Sequence, residues 1–300
     1  MTHTLQHGSI LGGVATVPDL ETALKDYRDV LGMKVIESGS MSDDLAQAWA
    51  CPKIAGAPMA VLQPASGADC FIRLVEQPGH PDFKPTTTYG WAAYELTVQD
   101  VFGWPGRLEG SSFDIIGPPK EIDILPYFVP MQALGPGREM IYLNEVRENT
   151  PTTDLPKARS LTDHIFIVIL ATPDRVKTVN WYRDRLHLTE GDTYTLEYTM
   201  INEAFGKPAG TVSDLTMVQI DRLPIVEVDD YPDEATSRPK HEGMLPPGNA
   251  LVTLAVDDLD AVKIDWIAPP QVRAGALYRD RRTATAIGPA GELLELIEIG

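Results

Sequence analysis

The sequence has few cysteines, no long apolar run and no excess of basic residues. Its 300 residues include only two cysteines, Cys51 and Cys70, too few for a disulfide framework or a cysteine metal site. No apolar run is long enough to cross a bilayer, and the N-terminus lacks the basic and then apolar pattern of a signal peptide. We therefore expect a cytoplasmic protein that does not act at a membrane.

Charge is strongly biased toward acid. The chain carries 43 acidic and 25 basic residues, a formal net charge of −18. Such a field repels a phosphate backbone, so we expect no nucleic-acid partner. The acidic stretch Glu227–Asp230, with Asp233 and Glu234 beyond it, lacks the regular spacing of a calcium loop. We interpret it as a solvated loop rather than a cation site.

One segment of the sequence occurs twice. Residues 16–31 read TVPDLETALKDYRDVL and residues 172–186 read TPDRVKTVNWYRDRL, with Tyr-Arg-Asp in common. The apolar spacing of the first segment predicts a helix that begins after Asp19 and ends before Gly32. The second segment has His187 where Gly32 stands, so its helix must end differently.

Further segments recur in the same order and define two halves. The matching pairs are AAYELTVQDV (92–101) with ALVTLAVDDL (250–259), IIGPP (115–119) with WIAPP (266–270), and GREMIYLNEV (137–146) with GELLELIEI (291–299). The polar residues 148–161 include two prolines and are typical of a linker. We predict an N-terminal domain over 1–147 and a C-terminal domain over 162–300. Strands mixed with a few helices favour the α+β class.

Three strings resemble a known family. They are YRDVLGMKV (27–35), the ending Gly-x-x-x-Glu-Leu-Ile-Glu from Gly291, and VDDLD (256–260). Together they resemble the vicinal oxygen chelate superfamily, which contains glyoxalases, bleomycin-resistance proteins and extradiol dioxygenases. The resemblance implies two tandem domains, each of two paired βαβββ modules that form a cup-shaped sheet around a small molecule. It does not define the reaction, because this fold serves isomerases, lyases, dioxygenases and sequestering proteins.

The family's metal positions are mostly not ligands here. Members that bind metal place His or Glu inside the first strand and on the last strand of each module. Aligned by that resemblance, these positions are Gly12, Ala93, Ile167 and Leu251 on first strands, and Arg73, Tyr142, Gln219 and Glu295 on last strands. Only Glu295 is a usual ligand, so we expect no metal cofactor. A divalent metal would need His164, three residues before Ile167, and His241 from a loop to join Glu295.

The same positions suggest a metal-free site. In the C-terminal cup, Glu295 opposite Gln219 is a candidate general acid or base with His164 as its partner, since burial among apolar walls favours such a role. The alternative is that Glu295 is satisfied by the backbone or by Gln219. In the N-terminal cup, Arg73 beside Tyr142 either anchors a substrate carboxylate or pairs with an internal acid.

The smaller and apolar positions complete the predicted binding sites. Gly12 and Ala93 are expected to leave space in the N-terminal cup, while Ile167 and Leu251 line the other. The proline-rich segment 232–248 is either a lid over the second cup or an exposed insertion.

We therefore expect a protein that binds a small organic acid or aromatic compound, with a homodimer possible. Metal-independent proton transfer of the isomerase or lyase type is the preferred activity. The alternatives are an enzyme similar to extradiol ring-cleavage dioxygenases and a non-catalytic protein that sequesters a small molecule.

Overall fold

A computed structural model describes residues 5–123 and 125–300. The first four residues of the predicted N-terminal domain and Ile124 lie outside it.

The first half contains two modules. Module 1 consists of β1 (Ile10–Val17), α1 (Leu20–Asp29), β2 (Lys34–Ser40), α2 (Asp43–Ala48), β3 (Pro58–Gln63) and β4 (Phe71–Glu76). Module 2 consists of β5 (Gly90–Val98), α3 (Trp104–Leu108), β6 (Asp114–Gly117), β7 (Phe128–Leu134) and β8 (Met140–Val146).

The second half repeats this order with one change. Module 3 consists of β9 (Thr162–Thr172), α4 (Arg175–Leu186), β10 (Thr189–Leu196), α5 (Thr199–Phe205), β11 (Ser213–Ile220) and β12 (Leu223–Asp230). Module 4 consists of β13 (Asn249–Val256), β14 (Trp266–Arg273), β15 (Arg281–Ile287) and β16 (Leu293–Glu298). All of module 4 is described, and a turn at residues 259–261 stands where the other modules have a helix.

The modules form two open, eight-stranded mixed sheets, which confirms the α+β class. The first sheet has the order β14-β15-β16-β13-β1-β4-β3-β2, and the second has the order β10-β11-β12-β9-β5-β8-β7-β6. Each sheet therefore takes one module from each half. Modules 1 and 4 meet where β1 pairs antiparallel with β13, and modules 2 and 3 meet where β5 pairs antiparallel with β9.

This pairing separates residues that the sequence analysis grouped. Arg73 lies on β4 of the first sheet, whereas Tyr142 lies on β8 of the second. Glu295 lies on β16 of the first sheet, whereas Gln219 lies on β11 of the second. The expectation that each half encloses its own set of site residues is wrong. The reason is that four similar modules do not reveal in their sequences which of them pair.

The main core lies between the two sheets and includes the buried faces of α1 and α4. The opposite face of each sheet carries its own apolar side chains. We call these faces the first cup, on the sheet of modules 1 and 4, and the second cup, on the sheet of modules 2 and 3. No helix in the described part of the chain is long and apolar enough to span a membrane.

The repeated helices begin as predicted. Asp19 accepts a hydrogen bond from the Thr22 amide at 2.7 Å, and Asp174 accepts one from the Lys177 amide at 2.9 Å, as N-cap residues do. Gly32 follows α1 with a φ of +71°. At the end of α4, His187 adopts the left-handed conformation itself, with a φ of +56°.

The Tyr-Arg-Asp motif of each helix joins the two sheets. The Tyr27 hydroxyl of module 1 donates to Glu139 of module 2 at 2.8 Å, and Tyr182 of module 3 donates to Glu292 of module 4 at 2.8 Å. Burial raises the pKa of Glu139 and of Glu292 to about 7, while the tyrosine bonds oppose the shift. These bonds hold together two modules of one half that lie in different sheets.

Candidate functional site

An acid at the end of each last strand fixes the register of the four modules. Its carboxylate accepts a hydrogen bond from the backbone amide that opens the module's helix or turn. The pairs are Glu76 with Leu20, Glu145 with Val101, Asp230 with Arg175, and Glu298 with Leu259, all at 2.8 to 2.9 Å. Because side chains alternate along a strand, the residue three positions earlier faces the cup instead.

This register corrects one predicted position. Counting back three residues from the capping acids gives Arg73, Tyr142, Glu227 and Glu295. Glu227 therefore replaces Gln219, which lies on β11 rather than on the last strand of module 3. Gln219 is partly exposed, and its amide donates to the Asp221 carbonyl at 2.8 Å.

The first cup holds a cation and a carboxylate linked through a tyrosine. Arg73 is 3% exposed and donates from Nη1 to the Tyr278 hydroxyl at 2.9 Å. That hydroxyl donates to Glu295 Oε2 at 3.0 Å. The guanidinium carbon also lies 5.3 Å from the centre of the Trp49 ring and 5.2 Å from that of Tyr278. Burial disfavours the charge, but Tyr278 and Glu295 outweigh it and raise the pKa of Arg73.

Glu295 is hydrogen-bonded at both oxygens. Besides Tyr278, it accepts from Trp49 Nε1 at 3.0 Å and from Thr253 Oγ1 at 3.0 Å. Its surface is 1% exposed. Of the two alternatives for Arg73, the structure contains the internal acid, and that acid is Glu295. The side chains therefore form a charge-balanced network, in which the buried Arg73 Nε is left without a hydrogen-bond partner.

Gly12 allows two strands to pack closely and does not provide space for a ligand. A Cβ at Gly12 would lie 2.5 Å from the Phe71 carbonyl oxygen of the neighbouring strand. Leu251 packs in the apolar cluster of the first cup. Ala93 is buried in the second cup beside Tyr142 and Ile169, so no open space surrounds it.

The second cup contains three buried carboxyl groups that the sequence analysis did not propose. Glu95 lies on β5, and Glu227 and Asp229 lie on β12, with exposures of 4%, 8% and 3%. The stretch Glu227–Asp230 is thus part of a central strand and not the solvated loop that was predicted. Alternation turns Asp230 toward the helix and its two acidic neighbours into the cup.

These carboxyls are hydrogen-bonded to one another and to polar side chains. Glu227 accepts from the Tyr198 hydroxyl and shares a hydrogen bond with Asp229. Glu95 accepts from Asn144 Nδ2. Burial raises the pKa of Glu227 to about 7, against the effect of the Tyr198 and Asp229 bonds. Burial and the like charges of Glu227 and Glu95 raise the pKa of Asp229 as well.

Helix α5 and its flanking residues cover the second cup. Tyr198, directly before α5, is partly exposed and reaches Glu227. Met200 Sδ lies 3.8 Å from the Tyr142 hydroxyl, and Ile201 packs with Tyr231 at the end of β12. A short helix therefore closes the cup in which the carboxyls lie.

His164 does not meet Glu295. It lies on β9 of the second sheet, and its Nδ1 is 3.2 Å from Asp163 Oδ1. Ile167 packs in the second cup with Leu215 and Met217, so it holds the inward position. A register shift between Ile165 and Ile167 interrupts the alternation of β9, and Phe166 packs beside Ile167 in the same cluster. The predicted pairing of His164 with Glu295 is therefore wrong.

The segment 232–248 is fastened in place. Arg238 donates to the carbonyls of Trp91 and Asn249, and Gly243 accepts from the Lys53 amide. His241 hydrogen-bonds to the Gly79 carbonyl at 3.1 Å. His241 and Gly243 thus pack against residues of the first half, whereas Ala235 packs with Ile201 and Tyr231 beside the second cup.

The residues at the superfamily's metal positions do not fit a metal. In the first cup, Arg73 places a cation near the carboxylate of Glu295. In the second cup, the Glu227 carboxyl already bonds to the Tyr198 hydroxyl and to Asp229. Nowhere in residues 5–123 and 125–300 are three His, Cys, Asp or Glu side chains arranged to hold a metal ion.

Comparisons with known proteins identify the fold. The structure of glyoxalase I from Zea mays superposes with a TM-score of 0.63 over 97% of this chain and 92% of that chain, at 16% identity. A candidate dioxygenase from Bacillus subtilis superposes with a TM-score of 0.61 over 98% of this chain and 86% of that chain, at 12% identity. No protein-family model matches the sequence, and no curated protein matches it. The chain has the fold of the vicinal oxygen chelate superfamily, as the sequence analysis predicted.

Proposed function

We propose that this protein is an enzyme that catalyses proton transfer to or from a small organic compound, in a reaction of the isomerase or lyase type. The second cup is its proposed active site. The observation that carries the proposal is the buried Glu227–Asp229 carboxyl pair, with Tyr198 bonded to Glu227. This retains the chemistry expected from the sequence and moves it from Glu295 to Glu227.

The pair combines an acceptor and a donor of protons in one place. Glu227, with a pKa raised to about 7 by burial, is a base that works near neutral pH. Burial and two neighbouring carboxyls raise the pKa of Asp229, which favours its protonated form. Two carboxyls whose environments separate their pKa values are the usual arrangement for acid and base roles. Tyr198 orients Glu227 and, as the first residue before α5, connects the base to the cover of the cup.

The first cup supports this chemistry less well. Three side-chain donors occupy the oxygens of Glu295, and Arg73 balances its charge. We assign Glu295 to holding Arg73. A substrate carboxylate at Arg73, as the sequence analysis anticipated, would have to displace this internal partner.

An extradiol dioxygenase-like activity is the first alternative, and metal content separates it from the proposal. We expect protein purified without chelators or a nickel column to carry no stoichiometric Fe, Mn or Zn, because neither cup presents a ligand set. Elemental analysis measures this directly. One firmly bound metal per chain would favour the dioxygenase.

Hydrogen exchange from carbon tests the proposal without knowledge of the natural substrate. Small carbonyl compounds, amines and aromatic acids are incubated with the protein in D2O, and loss of C–H signals is followed by NMR. We expect protein-dependent exchange in at least one compound. Its rate should rise as the pH increases through about 7, because Glu227 must lose its proton to act as the base.

The result also separates enzyme from binding protein. A sequestering protein would retain ligands yet leave every C–H signal at its uncatalysed rate. Exchange that falls as the pH rises would contradict the role of Glu227, since a protonated carboxyl would then be the required form.

A further inference from the structure

The second cup contains hydrogen-bond acceptors that lack donors. Among the described residues, the buried oxygens Thr97 Oγ1, Asn144 Oδ1 and Asp229 Oδ1 have no hydrogen-bond partner. Thr97 and Asn144 are paired across β5 and β8, and the Asn144 amide nitrogen already bonds to Glu95. Its free oxygen therefore lies at the carboxyl cluster. A buried acceptor without a hydrogen bond destabilises the fold, so a ligand that donates hydrogen bonds would suit this site.

The charge of the cup is of one sign. Glu95, Glu227 and Asp229 are all buried; the like charge of Glu227 raises the pKa of Glu95, and the charges of Glu227 and Glu95 raise the pKa of Asp229. The positive charge of Arg238 lowers the pKa of Tyr231 and so opposes the effect of the carboxyls on that residue. Its guanidinium is already hydrogen-bonded to Thr88 and to backbone carbonyls. A positive charge inside the cup would stabilise the ionised carboxyls, whereas a negative charge would be repelled.

The remaining walls suit an organic cation. Tyr142, Tyr198 and Tyr231 each interact electrostatically with Glu227 and Asp229. Aromatic rings together with carboxylates are the common surroundings of bound ammonium groups. The carboxyls are not arranged to hold a metal ion, so a bare divalent cation is not the complement.

We propose that the second cup binds a small organic amine in its protonated form. The ammonium group donates hydrogen bonds to Asn144 Oδ1 and Asp229 Oδ1, and the carboxyls of the cup balance its charge. This inference rests on the proposed function, because it names the substrate class of the same cup. It replaces the organic acid that the sequence analysis expected.

Calorimetry with three matched series tests the inference. Butylammonium, benzylammonium and phenethylammonium ions are titrated into the full-length protein, each beside the alcohol and the carboxylate of the same carbon skeleton. We expect at least one ammonium ion to bind about tenfold or more tightly than its alcohol, and the carboxylates to bind most weakly. Binding should also release protons, because a cation favours the ionised carboxyls. The measured heat will then differ between phosphate and Tris buffers.

Variants locate the binding. Asp229→Asn and Glu95→Gln should each remove most of the preference for ammonium over alcohol. Glu292→Gln is the matched control, because Glu292 is also buried and also accepts from a tyrosine hydroxyl, yet lies between the sheets. It should leave the preference unchanged.

The outcomes distinguish this inference from the proposed function. Alcohols or carboxylates that bind as tightly as the ammonium ions, or ammonium ions that do not bind, would overturn the inference. A preference unaffected by both cup variants would also overturn it. Ammonium binding without any hydrogen exchange would contradict the proposed function alone, and exchange without an ammonium preference would contradict the inference alone.

Discussion

Glu227→Gln is expected to lower the rate of hydrogen exchange by roughly 10²–10⁴-fold, the usual contribution of a positioned acid or base. The amide keeps the size of the side chain and still accepts a hydrogen bond from Tyr198, but it cannot take a proton from carbon. The pH dependence through about 7 should disappear with it, because the titrating group is gone. The measurement is the exchange rate by NMR, with thermal unfolding to confirm that the variant is folded.

Two variants serve as comparisons for Glu227→Gln. Glu292→Gln removes another buried carboxyl whose pKa is raised to about 7 and should leave the rate unchanged. Glu295→Gln tests the first cup, where the sequence analysis placed the base. A wild-type rate in Glu227→Gln together with a large loss in Glu295→Gln would move the chemistry back to the first cup.

Arg73→Met is expected to reduce the free energy of unfolding by about 3 kcal/mol, within the range found when one partner of a buried charge pair is removed. The substitution keeps an apolar stem between Trp49 and Tyr278 but leaves Glu295 without its compensating cation. Urea denaturation measures the change.

A double variant separates lost charge balance from lost packing. Arg73→Met combined with Glu295→Gln removes both charges, so it should be more stable than Arg73→Met alone. Losses that simply add would show that the two side chains are not coupled. The network would then act through packing against Trp49 rather than through charge.

The elements with a local cause were predictable from the sequence. The capping role of Asp19, the turn at Gly32 and the repeated helices follow from residues that are neighbours in the chain. The α+β class follows from the proportion of strands to helices. The last strand of module 3 was missed because the acidic end of β12 was interpreted as a loop, which left β11 as the last strand of the module.

The carboxyl site was hidden by its own composition. The stretch Glu227–Asp230 contains three acids in four residues. Because buried acids are rare, such a stretch is expected to be exposed to solvent. The signal that identifies them is Asp230, which corresponds to the capping acids Glu76, Glu145 and Glu298 at the ends of other last strands. The pairing of modules across halves depends on contacts between distant strands, and no local pattern encodes it.

The mixing of halves within each sheet has a consequence for how the two cups could diverge. A chain of half this length would build the same pair of sheets by association of two copies, and symmetry would then oblige both cups to present identical residues. In this chain the segment 148–161 tethers the halves, so each cup can vary independently. One cup has become a neutralised Arg73–Glu295 interior, and the other has gathered carboxyl groups. Covalent linkage thus allows the two cups of one molecule to present different side chains.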